Sequence, residues 1–196
     1  MQHKCNLITS SVLRGFQILL SIIVLGLSVT LFKNYNTQPP IPDLSKAPMI
    51  LPLGAAIGSL SLIAAVFCLA IAWTNFLREY IEMLVDVVIV VVNVVGGMIL
   101  ALKLRGLKCG DNSDENRLGT SFDYPYNGGL ANSDLLNGGC ARFGSVWYCA
   151  NTTPERLNLL NLRCKQSQAD SAFMFLTAVV LFGTLTLTYL RFKKSL

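Results

Sequence analysis

The sequence has few charged residues for its length. Only 14% of its 196 residues are Asp, Glu, Lys or Arg, whereas a soluble domain carries roughly a quarter. The missing charges leave four long apolar runs with no charge or a single acid: residues 15–32, 47–77, 83–102 and 171–190. A bilayer core about 30 Å thick needs roughly 20 apolar residues of helix, and the runs are of that length. None carries the polar stripe that a surface helix of a soluble protein needs.

The four runs predict an all-α membrane protein, a bundle of four transmembrane helices in a single domain over residues 1–196. We expect the helices at about residues 12–32, 49–73, 82–104 and 169–190, and an outer loop at residues 105–168. A cleaved signal peptide is the alternative for the first run. Its apolar segment is longer than the roughly 7–15 residues of a signal core, so we expect a retained anchor.

The sequence also lacks the residue patterns of catalysis. His3 is the one histidine, and there is no phosphate loop, nucleophile elbow or cluster of metal ligands. We therefore expect no enzyme, no catalytic residue, no cofactor and no metal site. The net charge of +5 comes mostly from short basic stretches beside the helices. Such stretches favour contact with anionic lipid headgroups and not with nucleic acid.

Basic residues next to the helices predict the orientation. Lys4 and Arg14 precede or begin the first span, and the C-terminal "RFKKSL" has three cations and no acid. Because an even number of spans puts both ends on one side, these charges place both termini in the cytoplasm. The turn at residues 74–81 is then cytoplasmic as well, and residues 33–48 and 103–170 lie outside.

The outer segment holds four of the six cysteines, at Cys109, Cys140, Cys149 and Cys164. Four cysteines allow three pairings. A Cys109–Cys164 bridge would clamp the base of the loop, since the two residues adjoin helices 3 and 4, and it would leave Cys140 to pair with Cys149. Free thiols are one alternative. A zinc site is another, but it lacks a C-x-x-C spacing and a nearby histidine.

The same segment carries the sequon Asn151-Thr152-Thr153. Sequons and paired cysteines are both used on the extracellular or lumenal side, so they support the predicted topology. Asn-Gly-Gly occurs at Asn127 and again at Asn137, which favours tight turns and short irregular hairpins. The acidic stretch "DNSDEN" at residues 111–116 is typical of a solvated turn. A calcium loop is the alternative, but the glycine and distal glutamate of an EF-hand are missing.

Small residues recur at the spacing used for close helix packing. Gly54 and Gly58 lie four residues apart in helix 2, and Gly97 and Ala101 do so in helix 3. This spacing lets two helix backbones approach closely. It predicts packing between helices of one chain, with self-association as the alternative.

Helix 3 carries a line of polar residues near one face: Glu79, Glu82, Asp86, Asn93 and Gly97. An acid within a span is by default a candidate functional residue. Arg14 lies at the same depth on helix 1, so we predict a structural Arg14–Asp86 ion pair. The alternative is a proton or substrate path, which would suit a small transporter or a channel accessory subunit.

Two stretches, "LVDVVIVVVNVVGGMILALKLRGLKC" (84–109) and "RCKQSQADSAFMFLTAVVLF" (163–182), resemble the fungal MARVEL-domain proteins. They are most similar to the non-classical-export type, which is associated with eisosomes. The matching features are an acid early in helix 3, small residues in its middle, a cysteine just after it and a pattern that begins helix 4. That pattern comprises Arg163, Cys164, Gln166, Gln168, Ala169, Ala172 and Phe173.

The resemblance implies a non-enzymatic plasma-membrane protein that organises lateral membrane domains or cargo and responds to sphingolipid. The middle of the outer loop, with Cys140 and Cys149, is an insertion relative to those proteins, so partner binding through the loop does not transfer. Other secretory-pathway membranes are the alternative location. Tetraspanins share the layout, but their C-C-G signature is absent. Claudin-like proteins carry their cysteine pair in the first outer loop, which has none here.

Overall fold

The computed structural model describes residues 2–36, 49–73, 78–111, 129–130, 135–136, 140–143, 146–149 and 154–195, together with residues 113, 116 and 133. In the two strands and at the outer ends of the helices the description is of the backbone. The elements in chain order are α1 (Gln2–Asn36), α2 (Ile50–Trp73), α3 (Arg78–Leu104), β1 (Cys140–Phe143), β2 (Val146–Cys149) and α4 (Pro154–Ser195).

All four of these helices are long and apolar enough to cross a membrane. The qualifying segments are Thr9–Lys33, Ile50–Ile71, Tyr80–Leu104 and Asn158–Leu190. The predicted fold class, an all-α membrane protein with four spans and a disulfide between helices 3 and 4, is confirmed. The structure adds a short β-hairpin, which lies in the segment between α3 and α4.

The helix ends follow from local chemistry. α3 ends where Gly106 adopts a φ of 86°, a left-handed conformation that glycine takes without a Cβ penalty. Pro154 is the first residue of α4 and Pro52 lies in the first turn of α2, positions where the missing N–H has no helical partner to lose.

The prediction for helix 4 is wrong at its start. We expected the loop to run to residue 168, but α4 begins at Pro154 and includes residues 154–168, the last part of the predicted loop. Cys164 therefore lies within α4 and not just before it. The reason is that buried side chains recur at helical spacing over residues 158–168, so packing supports a helix that hydrophobicity alone does not indicate.

The chain divides into two compact units. Unit 1 comprises Met1–Gly26, Gly54–Met98 and Ser171–Leu196, and so contains segments of all four helices. Its core is formed by Ala64, Ile89, Val90 and Leu181, with Val85, Val94 and Leu185 packed against them. This unit is a four-helix bundle whose apolar centre includes side chains from α2, α3 and α4.

Unit 2 comprises Leu27–Leu53 and Ile99–Asp170. Its buried side chains include four leucines, Leu130, Leu135, Leu136 and Leu160. β1 and β2 form an antiparallel two-stranded sheet in which Cys140 lies opposite Cys149. Asn127 and Asn137, where tight turns were predicted, lie outside the described residues.

Candidate functional site

The predicted Arg14–Asp86 pair forms in unit 1 between α1 and α3. Arg14 Nη1 donates to Asp86 Oδ1 at 2.6 Å, and Nη2 donates to Oδ2 at 2.6 Å. Both residues are buried, at 3% and 1% exposure. Two parallel N–H···O contacts use the planar fork of the guanidinium, which gives the pair a fixed direction as well as charge compensation.

Neighbouring side chains complete this polar cluster. Gln17 lies one turn along α1, and its Oε1 accepts from Arg14 Nη1 at 2.8 Å. From α4, the Thr184 hydroxyl lies 3.2 Å from Asp86 Oδ2 and 2.8 Å from the Leu181 carbonyl. The cluster therefore connects three helices through one carboxylate.

The electrostatic surroundings of the pair include one more acid. Glu82 is buried one turn before Asp86 on α3 and lies within electrostatic reach of Arg14, as does the buried Cys68 of α2. An isolated charge in an apolar interior is very costly, and pairing lowers that cost. The cluster can therefore hold α1 against α3 through the paired guanidinium and carboxylate, while Arg14 Nε and Gln17 Nε2 have no hydrogen-bond partner among the described residues.

The rest of the polar face of α3 is also directed inward. Asn93 Nδ2 donates to Ser61 Oγ of α2 at 2.8 Å and to the Ile89 carbonyl at 2.9 Å. Glu82, Asp86 and Asn93 are all buried, while the side chain of Glu79 lies outside the described residues. The sequence correctly placed these groups on one face. The structure adds the partners on α1, α2 and α4.

The glycines allow close helix contacts within the chain. A Cβ added at Gly58 would lie 2.8 Å from Leu25 N and 3.0 Å from Leu25 Cα, so α2 approaches the backbone of α1 there. At Gly97 the added atom would meet the Phe175 ring of α4 at 3.2–3.4 Å. Gly54 is buried as well. These contacts favour intramolecular packing for the small-residue spacing.

In unit 2, the predicted Cys109–Cys164 disulfide is confirmed, with a Cα–Cα distance of 5.3 Å. A second contact lies beside it, because the buried Arg163 donates from Nη1 to the Leu136 carbonyl at 3.0 Å. The disulfide attaches the chain just after α3 to α4, and the hydrogen bond attaches Leu136 to α4.

Two other loop predictions cannot be followed in side-chain detail. Cys140 and Cys149 are cross-strand partners in backbone register, but their side chains, and all of Asn151, lie outside the described residues. Opposite positions in an antiparallel pair have Cα atoms about 4.5–5.5 Å apart, within the range of a disulfide. The second bridge and the glycosylation of Asn151 stay predictions.

Three described residues of the acidic stretch, Asp111, Ser113 and Asn116, form local hydrogen bonds. Asp111 Oδ1 accepts from Ser113 N at 2.9 Å, and Asn116 Nδ2 donates to the carbonyls of Lys108 and Asp111. No group of three or more His, Cys, Asp or Glu side chains suited to a metal occurs among the described residues.

A comparison with known families adds to this geometry. The sequence model of MARVEL, described as a membrane-associating domain, matches residues 7–187. The chain belongs to the MARVEL family. No curated protein and no solved structure matches it. The match covers the first three membrane-spanning segments of this MARVEL domain, the segment between α3 and α4, and the fourth spanning segment up to residue 187.

Asp170 is a further buried acid that the sequence did not single out. It was placed on the outer side, at the start of predicted helix 4, and it lies within α4, is 1% exposed and accepts a hydrogen bond from the Ser28 hydroxyl of α1 at 2.6 Å. A sequence signal for it exists. Buried polar residues recur every seven positions along α4, at Arg163, Asp170, Thr177 and Thr184, which is the spacing of one helix face.

Proposed function

We propose that this MARVEL-family chain is a non-enzymatic, multi-pass membrane protein that organises lateral domains of the plasma membrane, as eisosome-associated proteins do. The family match supports membrane association of a non-enzymatic type. The observation that carries the proposal further is the Arg14–Asp86 pair. This pair uses a buried carboxylate within the span of α3 to hold helices together.

The polar face of α3 could alternatively line a transport path. A path needs polar groups that are free to contact a passing ion or solute. Instead, Asp86 is held by Arg14 and Thr184, and Asn93 by Ser61 and its own helix. Engaged, buried groups of this kind favour a structural role over the transporter alternative.

The exposed surface of the helices supports a protein that functions in contact with membrane lipids. Large apolar side chains are exposed on every helix, including Phe16, Leu19, Ile63, Val66, Val91, Leu102, Val179 and Phe182. In a soluble protein such continuous apolar surface would be unstable, whereas lipid tails cover it in a bilayer. The proposed partners are therefore membrane lipids, namely sphingolipid or anionic headgroups, and other membrane proteins, including further copies of the chain.

The proposed orientation has both termini in the cytoplasm. The basic tail at Arg191, Lys193 and Lys194 supports this orientation. Lys193 is exposed, so it is available to anionic headgroups. Each cation near such a surface contributes about 1 kcal/mol of attraction.

A fluorescent fusion tests the proposed role directly. Expression in the host cell should give static patches at the cortex with slow recovery after photobleaching, and depletion of sphingolipid should change the patches. A variant with Arg191, Lys193 and Lys194 all changed to Gln should lose the anionic-lipid contribution. Lys165→Gln, an exposed cation elsewhere, is the matched control. A diffuse or internal membrane signal from the unaltered chain would contradict the proposal.

A flux assay separates the organiser from the transporter. Purified protein in liposomes should pass no protons, alkali cations or small solutes above the rate of empty liposomes. Flux that is abolished by Asp86→Asn would instead assign function to the polar face of α3.

A further inference from the structure

Three buried oxygen atoms on one side of α4 lack a hydrogen-bond partner within the described part of the chain. They are Gln166 Oε1, Ser167 Oγ and Asp170 Oδ1. Buried polar atoms in folded proteins are satisfied in more than about nine cases in ten, so a group of three has a specific cause. A group that binds to oxygen atoms could replace the missing hydrogen-bond partners.

The three atoms belong to adjacent positions of one helix surface. Ser167 and Gln166 precede Asp170 by three and four residues, the spacing at which side chains of a helix are neighbours. Ser28 of α1 fixes the Asp170 carboxylate from the other side, because its hydroxyl donates to Oδ2 at 2.6 Å. Oδ1 is then the carboxylate oxygen left for a further contact.

No cation among the described residues compensates the charge at this position. Asp170 forms no ion pair with any described lysine or arginine, whereas Asp86 has Arg14. An ionised carboxylate that is 1% exposed needs a positive counterpart. The unpartnered atoms near Arg14 differ in kind, since they include the N–H donors Arg14 Nε and Gln17 Nε2. On α4 the unpartnered atoms of residues 166–170 are all oxygens, and the unpartnered N–H donor of this helix, Arg163 Nε, lies one turn before Ser167.

We propose that Gln166, Ser167 and Asp170 of α4, with Ser28 of α1, form a binding site for one small alkali cation. Hard cations select carboxylate, amide and hydroxyl oxygens. One carboxylate balances one positive charge, which favours a monovalent ion over a divalent one. Each of the three atoms is buried, so the ion must shed most of its water and a large organic cation is excluded.

The bound ion would stabilise the contact between α1 and α4 and would not be transported through the site. With the ion bound, Ser28 and Asp170 join α1 to α4 without a net charge in the interior of unit 2. This role is separate from the proposed organising function, because it concerns what stabilises the chain and not what the chain assembles.

The test is the thermal stability of the purified full chain in detergent at fixed pH and ionic strength. LiCl, NaCl or KCl replaces N-methyl-D-glucamine chloride, whose cation is too large for the site. One alkali cation should raise the melting temperature by about 5–10 °C when it is present at a hundredfold excess over its dissociation constant. The rise should follow a single-site saturation curve.

Two neighbouring serines provide matched variants. Ser167→Ala removes a proposed ligand and should abolish most of the cation-dependent rise. Ser171→Ala removes a buried hydroxyl that donates to the Gly97 carbonyl at 2.9 Å, so it should lower the melting temperature equally in all salts and keep the rise. Asp170→Asn should show no cation dependence. If that variant does not fold, the wild-type titration and the serine pair still decide.

Two results would overturn the site. The first is a wild-type melting temperature that is the same in alkali chloride and in N-methyl-D-glucamine chloride, which would mean a protonated or hydrated carboxyl in place of a bound ion. The second is an undiminished rise in Ser167→Ala.

Discussion

Arg14 and Asp86 join α1 to α3 through two parallel contacts of 2.6 Å, one from each terminal guanidinium nitrogen to one carboxylate oxygen. Seventy-two positions separate the two residues in the sequence. Because both are buried, each depends on the other for compensation of its charge.

Removing either partner should therefore be strongly destabilising. Arg14→Ala and Asp86→Ala are each expected to cost about 3–5 kcal/mol, because each leaves an uncompensated buried charge. The double alanine variant should cost clearly less than the sum of the two single variants. The swap Arg14→Asp with Asp86→Arg should recover part of the loss. Folded yield and thermal stability in detergent measure these effects, and simple additivity would show that the pair makes no energetic contribution.

The planar guanidinium of Arg14 leads to a separate prediction. Arg14→Lys keeps the positive charge but replaces two directed contacts by one point charge. It should be less stable than the wild type and more stable than Arg14→Ala. A lysine variant as stable as the wild type would mean that charge alone matters at this position.

The glycine contact between α2 and α1 predicts a sharp contrast between two substitutions. Gly58→Ala places a Cβ 2.8–3.0 Å from backbone atoms of Leu25, so the helices must separate and the melting temperature should fall. Gly15→Ala is the matched control, since an added Cβ there meets nothing within 4 Å. It should be neutral or stabilising by up to about 1 kcal/mol, through helix propensity. Equal effects of the two substitutions would refute close packing at Gly58.

The two predicted loop disulfides should differ in how much they stabilise the protein. Cys109–Cys164 closes a loop with a sequence separation of 55, for which loop-closure entropy gives roughly 4 kcal/mol. A Cys140–Cys149 bridge closes a much smaller ring and contributes less. Cys109→Ser should cause more retention in the secretory pathway than Cys140→Ser, and non-reducing peptide mapping should find those two bridges without cross-pairs. The reverse order of retention would be incompatible with the assignment.

The topology is tested by glycosylation. Asn151 should be modified in cells if the segment between α3 and α4 is translocated, and an engineered sequon in residues 74–77 should stay unmodified. Digestion with a glycosidase and the resulting gel shift measure both. Modification of the engineered site would reverse the proposed orientation.

The number of spans follows from the amino-acid sequence, because bilayer thickness makes span length and apolar composition local properties of the chain. The sequence also indicated the Arg14–Asp86 pair, since two opposite charges at one depth in apolar helices have few other partners. The base disulfide was inferable for a similar reason, from two cysteines next to the predicted ends of consecutive spans.

Which residues of α4 are buried depends on how the helices pack. Residues 154–168 are too polar to be recognised as part of a span, yet they continue the helix, and one face of residues 158–168 is buried within unit 2. The contact of Asp170 with Ser28 joins helices that are distant in sequence, so the sequence alone does not indicate it. Likewise, the four-residue spacing of Gly54 and Gly58 does not indicate which helix packs against them. The contact of Gly58 with Leu25 depends on how α1 and α2 are rotated about their axes, which is fixed by packing between elements distant in sequence.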